Sequence, residues 1–454
     1  MSSETVAEPQ ATQSPATGLI ARTVALNLFQ EVMAQNRSLD EAIAASVPFR
    51  QLEVRDRAFV RLLVTETLRR LGQIDVLIKD CLDRSLPQSA NVVRAILRLG
   101  VAQIVILKTP SHAVVDTAVR LCVQSRNPGQ KGLVNAVLRR LAREAPEKFA
   151  AQDAVRLNTP NWLWESWVAS YGEEICRRIA AAHLTEPPLD LTVKEGADSW
   201  AEKLGGAVLP SGTVRFRAGG DIAALPGFEE GAWWVQDAAA ALPARLLLSG
   251  LESASGDRTI PDHTILDLCA APGGKTAQLA MSGARIIALD RSKRRNQILQ
   301  ENLKRLKLEA ELVTADATQW RPQDPPDAIL LDAPCTATGT IRRHPDIAGN
   351  KMPKDVLRLA GLQLNLLAAA ADMLPPGGLL VYSVCSLQPE EGPAVVEAFL
   401  DQTPHVRREP IAVWETGLPD LIITAEGDLR TLPCHLACSG GMDGFYIARL
   451  RRAS

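Results

Sequence analysis

The sequence predicts a multidomain chain: an all-helical N-terminal domain, a small α+β linking domain, and an α/β domain built on a parallel sheet. Three observations carry this reading. Residues 19–146 repeat apolar positions at helical spacing, with no alternating stretch. Residues 147–235 mix a tryptophan-rich segment with short alternating runs. Residues 236–454 alternate strand-length apolar runs with helical segments. A length of 454 residues agrees with about three domains at roughly 150 residues each. With 46% hydrophobic and 22% charged residues, the composition excludes a wholly disordered or fibrous chain.

Residues 1–18 are rich in Ala, Ser, Thr, Pro and Gln and carry no Lys or Arg. They read as a disordered tail rather than a signal peptide, which needs a basic start and an apolar run. In RDRAFVRLLVTETLRRLG, Phe59, Leu62, Leu63, Leu68 and Leu71 fall at helical spacing, and Gly72 reads as a stop. VVRAILRLGVAQIVIL and KGLVNAVLRRLA repeat the pattern, and Pro146 reads as the end of the helical domain. Trp162, Trp164 and Trp167 anchor a helix, while PPLDLTVKEG and GTVRFRAGG read as strands. Then TILDLC, RIIALD, AELVTAD, DAILLDAP and GGLLVYSVCS follow as near-continuous apolar strands, with helices between most of them. Such runs belong to a sheet covered on both faces. GMDGFYIARL near the end reads as an edge strand completing it.

A net charge of −2 hides a split. Residues 19–150 hold 20 Lys/Arg against 12 Asp/Glu; residues 151–454 hold 30 against 38. The basic helical part is expected to follow RNA phosphates rather than stack bases, since its aromatics are only Phe29, Phe49, Phe59 and Phe149. Eight scattered cysteines read as reduced thiols, and apolar stretches such as Leu366 to Leu374 fall short of the ~20 residues of a membrane span. A cytoplasmic protein, a monomer with no membrane partner, is expected. Cys434, His435 and Cys438 lack the four-ligand spacing of a zinc site, so no metal is expected.

In a doubly wound sheet, ligands bind beyond the carboxyl ends of the strands. The first strand of the α/β part runs into Cys269, Ala270, Ala271, Pro272, Gly273, Gly274 and Lys275, a turn that lets the backbone approach a ligand and opens a helix. Asp290 closes the second strand and can accept both hydroxyls of a ribose; Asp316 ends the third in the same way. An NAD fold wants G-x-G-x-x-G, which is absent. A P-loop wants a glycine where Cys269 stands, so an ATPase is a weaker alternative. Lys275 opens a helix where a cation gains nothing from the dipole, which favours a reach toward cofactor or substrate. DAPCTATG carries Asp332 and Cys335, and YSVCS carries Cys385, 50 residues on. If the two strands are neighbours, both thiols meet beside the loop. Arg342 and Arg343, a few residues past Cys335, offer the positive surroundings that a thiolate needs and a hold on RNA.

DLCAAPGGKT, LLDAPCTATGTIRRHPDI and VYSVCS resemble the signature motifs of the Sun/Nop2-type RNA (cytosine-5) methyltransferases. The helical domain with KGLVNAVLRRL resembles NusB. Together they resemble the bacterial 16S ribosomal RNA members of that family, over nearly the whole chain after the tail. The resemblance implies a Rossmann-like domain that binds S-adenosyl-L-methionine, with 16S ribosomal RNA as partner and 5-methylcytosine as product. Cys269 to Lys275, Asp290, Asp316 and Asp332 would hold the cofactor. Cys385 would be the nucleophile, Cys335 would assist release, and Lys275, Arg342 and Arg343 would meet RNA. Thr336 and Ala337 replace the commoner Ser and Gly, and Val384 replaces Thr. Other cytosine-5 methyltransferases use the cysteine of a Pro-Cys motif; spacing does not choose between Cys335 and Cys385, and YSVCS favours Cys385.

The chemistry needs these groups. Ring carbon 5 of cytosine is a weak nucleophile, and a thiolate adding at carbon 6 makes it a strong one. Asp332 is placed to share a proton at ring nitrogen 3. The base must be single-stranded or flipped to be reached. Transfer RNA as substrate and a non-catalytic RNA-binding factor remain alternatives.

Overall fold

A computed structural model describes residues 15–217, 220–254, 259–419 and 422–453. It divides into two compact units, Met1–Asn158 and Thr159–Ser454.

The first unit is helical throughout its described residues. Its core gathers Phe29, Leu63, Ile74, Leu97, Val101 and Leu138, all essentially inaccessible to solvent, from five different helices. Residues 1–14 of the expected tail lie outside the described residues, but Pro15–Gly18 belong to the first helix, Pro15–Gln35. A proline at the first helical position loses no intrahelical bond, which is why the helix starts so early. Gly72 does not stop a helix: the chain breaks at Arg70, and Gly72 sits inside Leu71–Lys79. A Cβ there would lie 1.8 Å from the Leu157 carbonyl oxygen, so close approach of backbone requires the glycine. Pro146 is likewise no terminus. The helix Lys131–Ala151 runs through it, held by buried Leu141 and Ala145 and partly buried Phe149. The expected domain boundary at 146/147 therefore falls within one helix.

The second unit opens with two helices, Asn161–Tyr171 and Glu173–His183. A small antiparallel sheet follows, of β1 (Leu189–Val193), β2 (Ala207–Val208), β3 (Val214–Phe216) and β4 (Trp233–Val235), in the order β2-β3-β1-β4. Trp233 and Leu191 fill its core. The large sheet contains β5 (Thr264–Leu268), β6 (Arg285–Asp290), β7 (Glu311–Thr314), β8 (Ala328–Asp332), β9 (Leu379–Val384), β10 (Val406–Arg408), β11 (Leu429–Arg430) and β12 (Tyr446–Arg452). Its order is β10-β12-β9-β8-β5-β6-β7, with β11 also paired to β12. The pairs from β9 through β8, β5 and β6 to β7 are parallel; β12 is antiparallel to its neighbours. β12 is therefore an interior strand, not the expected edge; short β10, ending in two arginines, takes the edge, where charge discourages further pairing. From β5 the chain winds outward to β6 and β7, then returns to β8 and β9. The switch in strand order falls between β5 and β8, where ligands of such sheets bind.

One helix, Pro353–Met373, is long and apolar enough to cross a membrane by length and composition. Here Leu366, Leu367 and Ala370 join the core over β8 and β9, and buried Gln363 donates to the Pro334 carbonyl, as befits a core helix.

Candidate functional site

A cavity of about 220 Å³ opens at the carboxyl ends of the parallel strands; among its lining residues are Cys269, Asp290, Asp316, Asp332, Cys335 and Cys385. Six residues far apart in sequence meet there because each follows, or ends, one of five adjacent strands. Ala270 to Lys275 are not among its lining residues. Gly273 has φ 102° and caps the helix Gly274–Met281, a conformation that suits glycine. Cys269 itself has φ 61°. Burial, then Asp290 and Asp332, push its thiol up to about 12, which leaves it a neutral wall rather than a nucleophile.

Register sets the reactive groups. Asp332 ends β8 directly beside Ser383 of β9. The Ser383 hydroxyl donates to Asp332 Oδ1 at 2.9 Å, and Lys275 Nζ donates to Oδ2 at 2.8 Å. Burial works against the lysine's charge, but Asp332 outweighs it, so its pKa is raised and the ammonium persists. Its Nζ also lies 5.3 Å from the centre of the Phe445 ring. Three residues past Asp332 comes Cys335; one residue past β9 comes Cys385. Their sulfurs are 3.5 Å apart. Cys385 raises the Cys335 thiol well above its ordinary value, and burial adds to this, which favours the protonated form of Cys335.

The carboxylates on the opposite side are held as acceptors. Asp290 Oδ1 receives the Ser292 amide at 2.9 Å, and Oδ2 pairs with Arg295 at 2.9 Å. Arg295 also donates to the Ala271 carbonyl, tying the loop to the second strand. Asp316 Oδ1 takes the hydroxyl and amide of Thr318, which lower its pKa. Behind the wall, burial pushes the Asp267 carboxyl up to about 7 against its bond from Thr276.

Arg342 and Arg343 are a correction. Both are engaged by buried carboxylates rather than by the thiols. Arg342 is 1% exposed and pairs with Asp237 and with Asp443 at 2.7 Å. Arg343 pairs with Asp237 at 2.6 Å and lies 3.6 Å from Asp190, which Arg215 grips at 2.6 Å. A pair of consecutive arginines near a catalytic motif reads as a surface grip, but three buried carboxylates consume these charges. Asp237 stays below the usual range, because Arg343 and Arg342 outweigh the burial that opposes its charge.

Several contributors escaped the sequence reading. Ser383 stood inside the quoted YSVCS, and alternation along β9 points it toward Asp332. Arg295, Gln363 and Glu391 carried no such signal. Ala337 has φ 59°, which explains why glycine suits that position. Thr336 is fully buried, with its hydroxyl bonded to Glu391. Among the described residues, no group of three or more His, Cys, Asp and Glu is arranged to hold a metal ion. Cys434 packs against Trp167, and burial lowers His435 to about 4 while its Nδ1 accepts the Leu432 amide.

Comparison with known proteins agrees with both halves of the chain. Residues 258–451 match the family model described as 16S rRNA methyltransferase RsmB/F, and residues 19–143 match that of the NusB family. Ribosomal RNA small subunit methyltransferase B of Pseudomonas putida is 36% identical over 94% of this chain and 98% of its own length. Its namesake in an Escherichia coli strain is 34% identical over the same shares. Among solved structures, that of PH0851 aligns with TM-score 0.75 at 23% identity, covering 98% of this chain and all of the other. A methyltransferase homologue from Pyrococcus horikoshii aligns with TM-score 0.53 at 26% identity, covering 66% of this chain and 97% of the other. With a helical unit that matches NusB, a sheet that matches the methyltransferase model and full-length relatives that join the two in the same order, the chain belongs to the ribosomal RNA small subunit methyltransferase B family.

Proposed function

We propose that the chain methylates carbon 5 of a cytosine in 16S ribosomal RNA, using S-adenosyl-L-methionine. The observation that carries this is the 3.5 Å contact between Cys335 and Cys385 beside the Lys275–Asp332 pair, in one cavity with Asp290 and Asp316. The donor set fits the cofactor. Asp290 and Asp316 at strand ends accept ribose and amine hydrogens, and an acidic wall suits a sulfonium. When bound, the cofactor supplies an electrophilic methyl group.

The chain's residues do the rest. The Cys385 thiolate adds to ring carbon 6, and the double-bond pair makes carbon 5 nucleophilic. Asp332, fixed by Lys275 and Ser383, relays to ring nitrogen 3 the proton that Cys385 gives up, and that proton leaves to solvent when the base is released. After methylation, the proton on carbon 5 leaves. Its bonding pair restores the carbon 5–carbon 6 double bond, and the carbon 6–sulfur pair returns to Cys385 as thiolate. Cys335, in contact with that sulfur, passes its own proton to the Cys385 thiolate and takes the carbon 5 proton in its place. The helical unit supplies phosphate contacts; Arg139, Arg140 and Arg143 are exposed along Lys131–Ala151. We place the reaction in the cytoplasm, where ribosomal RNA is made in bacteria, and with a single protomer.

Cys335→Ala is expected to accumulate a protein–RNA adduct that survives denaturing electrophoresis, while Cys385→Ala forms none. The reverse pattern overturns the assignment. Bisulfite sequencing of 16S ribosomal and transfer RNA from a deletion strain identifies the substrate: loss of a mark in transfer RNA alone overturns the ribosomal reading.

A further inference from the structure

Glu391 lies in the short turn Pro389–Glu391 after β9 and is wholly buried. Its carboxylate receives hydrogen bonds from both cysteine loops. Thr336, next to Cys335, donates its amide to Oε1 at 2.8 Å and its hydroxyl to Oε2. Ser386, next to Cys385, donates its hydroxyl to Oε2 at 2.6 Å. Gln363 completes the set at 3.2 Å to Oε1 while also donating to the Pro334 carbonyl. The turn itself is fixed by the Tyr382 hydroxyl, which donates to the Glu391 carbonyl at 2.6 Å.

All four donors are neutral. A buried carboxylate held by neutral donors alone is a poor way to gain stability, because desolvation opposes the charge. Burial raises the Glu391 pKa despite these bonds. A carboxylate nevertheless does what no neutral side chain does there: it only accepts, through two oxygens set a fixed distance apart. Each oxygen ties to Thr336, and Oε2 spans to Ser386. The residues flanking the two thiols are thus held to one rigid group.

We propose that Glu391 is a positioning residue that sets the placement of Cys335 relative to Cys385, and that release of the methylated base depends on it. The proposal rests on the assignment of Cys385 as nucleophile and Cys335 as the release group. Methyl transfer needs only Cys385, the base and the cofactor. Release needs the two sulfurs in register: as the carbon 6–sulfur pair returns to Cys385, Cys335 passes its own proton to that sulfur and takes the carbon 5 proton in its place. Loosening the bridge therefore slows the second step more than the first.

The test is Glu391→Gln in the full chain, with Cys335→Ala as reference. Glutamine keeps the volume and one acceptor but turns a donor toward the two hydroxyls, which must reverse. Its melting temperature is expected to equal or exceed that of the wild type, and affinity for S-adenosylhomocysteine to stay unchanged. Single-turnover methyl transfer is expected to remain within about threefold, while steady-state turnover falls at least about tenfold and adduct accumulates, since small misplacements cost up to about 10²-fold. Thr336→Val, which removes one hydroxyl from the bridge, is expected to show the same pattern more weakly. Unchanged turnover with no adduct in Glu391→Gln, while Cys335→Ala does accumulate one, overturns the positioning role alone. Absence of adduct in Cys335→Ala overturns the underlying assignment instead. Equal loss of single and multiple turnover with a lowered melting temperature makes Glu391 merely structural and also overturns the proposal.

Discussion

At Arg343 one guanidinium reaches Asp237, Asp443 and Asp190, while Arg342 shares Asp237 Oδ2 and holds Asp443 Oδ1, and Arg215 holds Asp190. Three arginines and three aspartates form a balanced buried cluster. Deleting Arg343 leaves three buried carboxylates sharing two arginines, an uncompensated negative charge in a largely buried cluster. Arg343→Met is therefore expected to destabilise the second unit by about 3–5 kcal/mol in urea unfolding. It is expected to leave the salt dependence of RNA binding unchanged, the opposite of what a phosphate contact predicts. At this scale the sequence was legible where chemistry and strand ends coincide: Asp290, Asp332, Cys335 and Cys385 reach one cavity. It was not legible for Arg342 and Arg343, because residue type records a charge but not its burial. Glu391 was silent for a related reason: its partners, Thr336 and Gln363, come from loops and helices that only the fold brings near.

Individual elements were read well in type and less well in their limits. All five predicted parallel strands are present, since apolar runs between turn residues leave little choice. Breaker residues misled. Gly72 sits in a helix because Leu157 passes too close for any Cβ, and Pro146 sits in one because the packing on either side outweighs a lost hydrogen bond. Proline inside a helix costs about 3 kcal/mol, of which unfolded-chain stiffness returns about 1. Pro146→Ala, at an exposed position, is thus expected to stabilise the first unit by about 2 kcal/mol, seen as a higher midpoint in thermal unfolding. β12 looked like an edge because it comes last; antiparallel pairing lets a terminal strand insert between two others.

For the whole molecule the charge division gains a sharper meaning. The acidic excess of the second unit is partly neutralised from within, and its most conspicuous arginine pair is spent there. On the proposed function, long-range attraction to RNA belongs mainly to the first unit. Binding of a 16S fragment by the full chain is expected to weaken steeply with added salt. Arg139→Ala with Arg143→Ala is expected to reduce the slope of log affinity against log salt by about one to one and a half. An unchanged slope in a filter-binding titration counts against this assignment.

The two helices at the start of the second unit do more than connect. Trp167 donates to Gln388 at 2.8 Å and Tyr171 to the Leu387 carbonyl at 2.6 Å, both just past Cys385, while Leu163 and Ile179 cover Ile341 and Leu432. The region matched by the methyltransferase family model begins only at residue 258. A protein engineer who excised the enzyme at that point would strip the cover from the loop that follows Cys385. The compact unit that keeps these contacts begins at Thr159, so an excision or exchange that spares the loop of Cys385 is expected to cut at that joint.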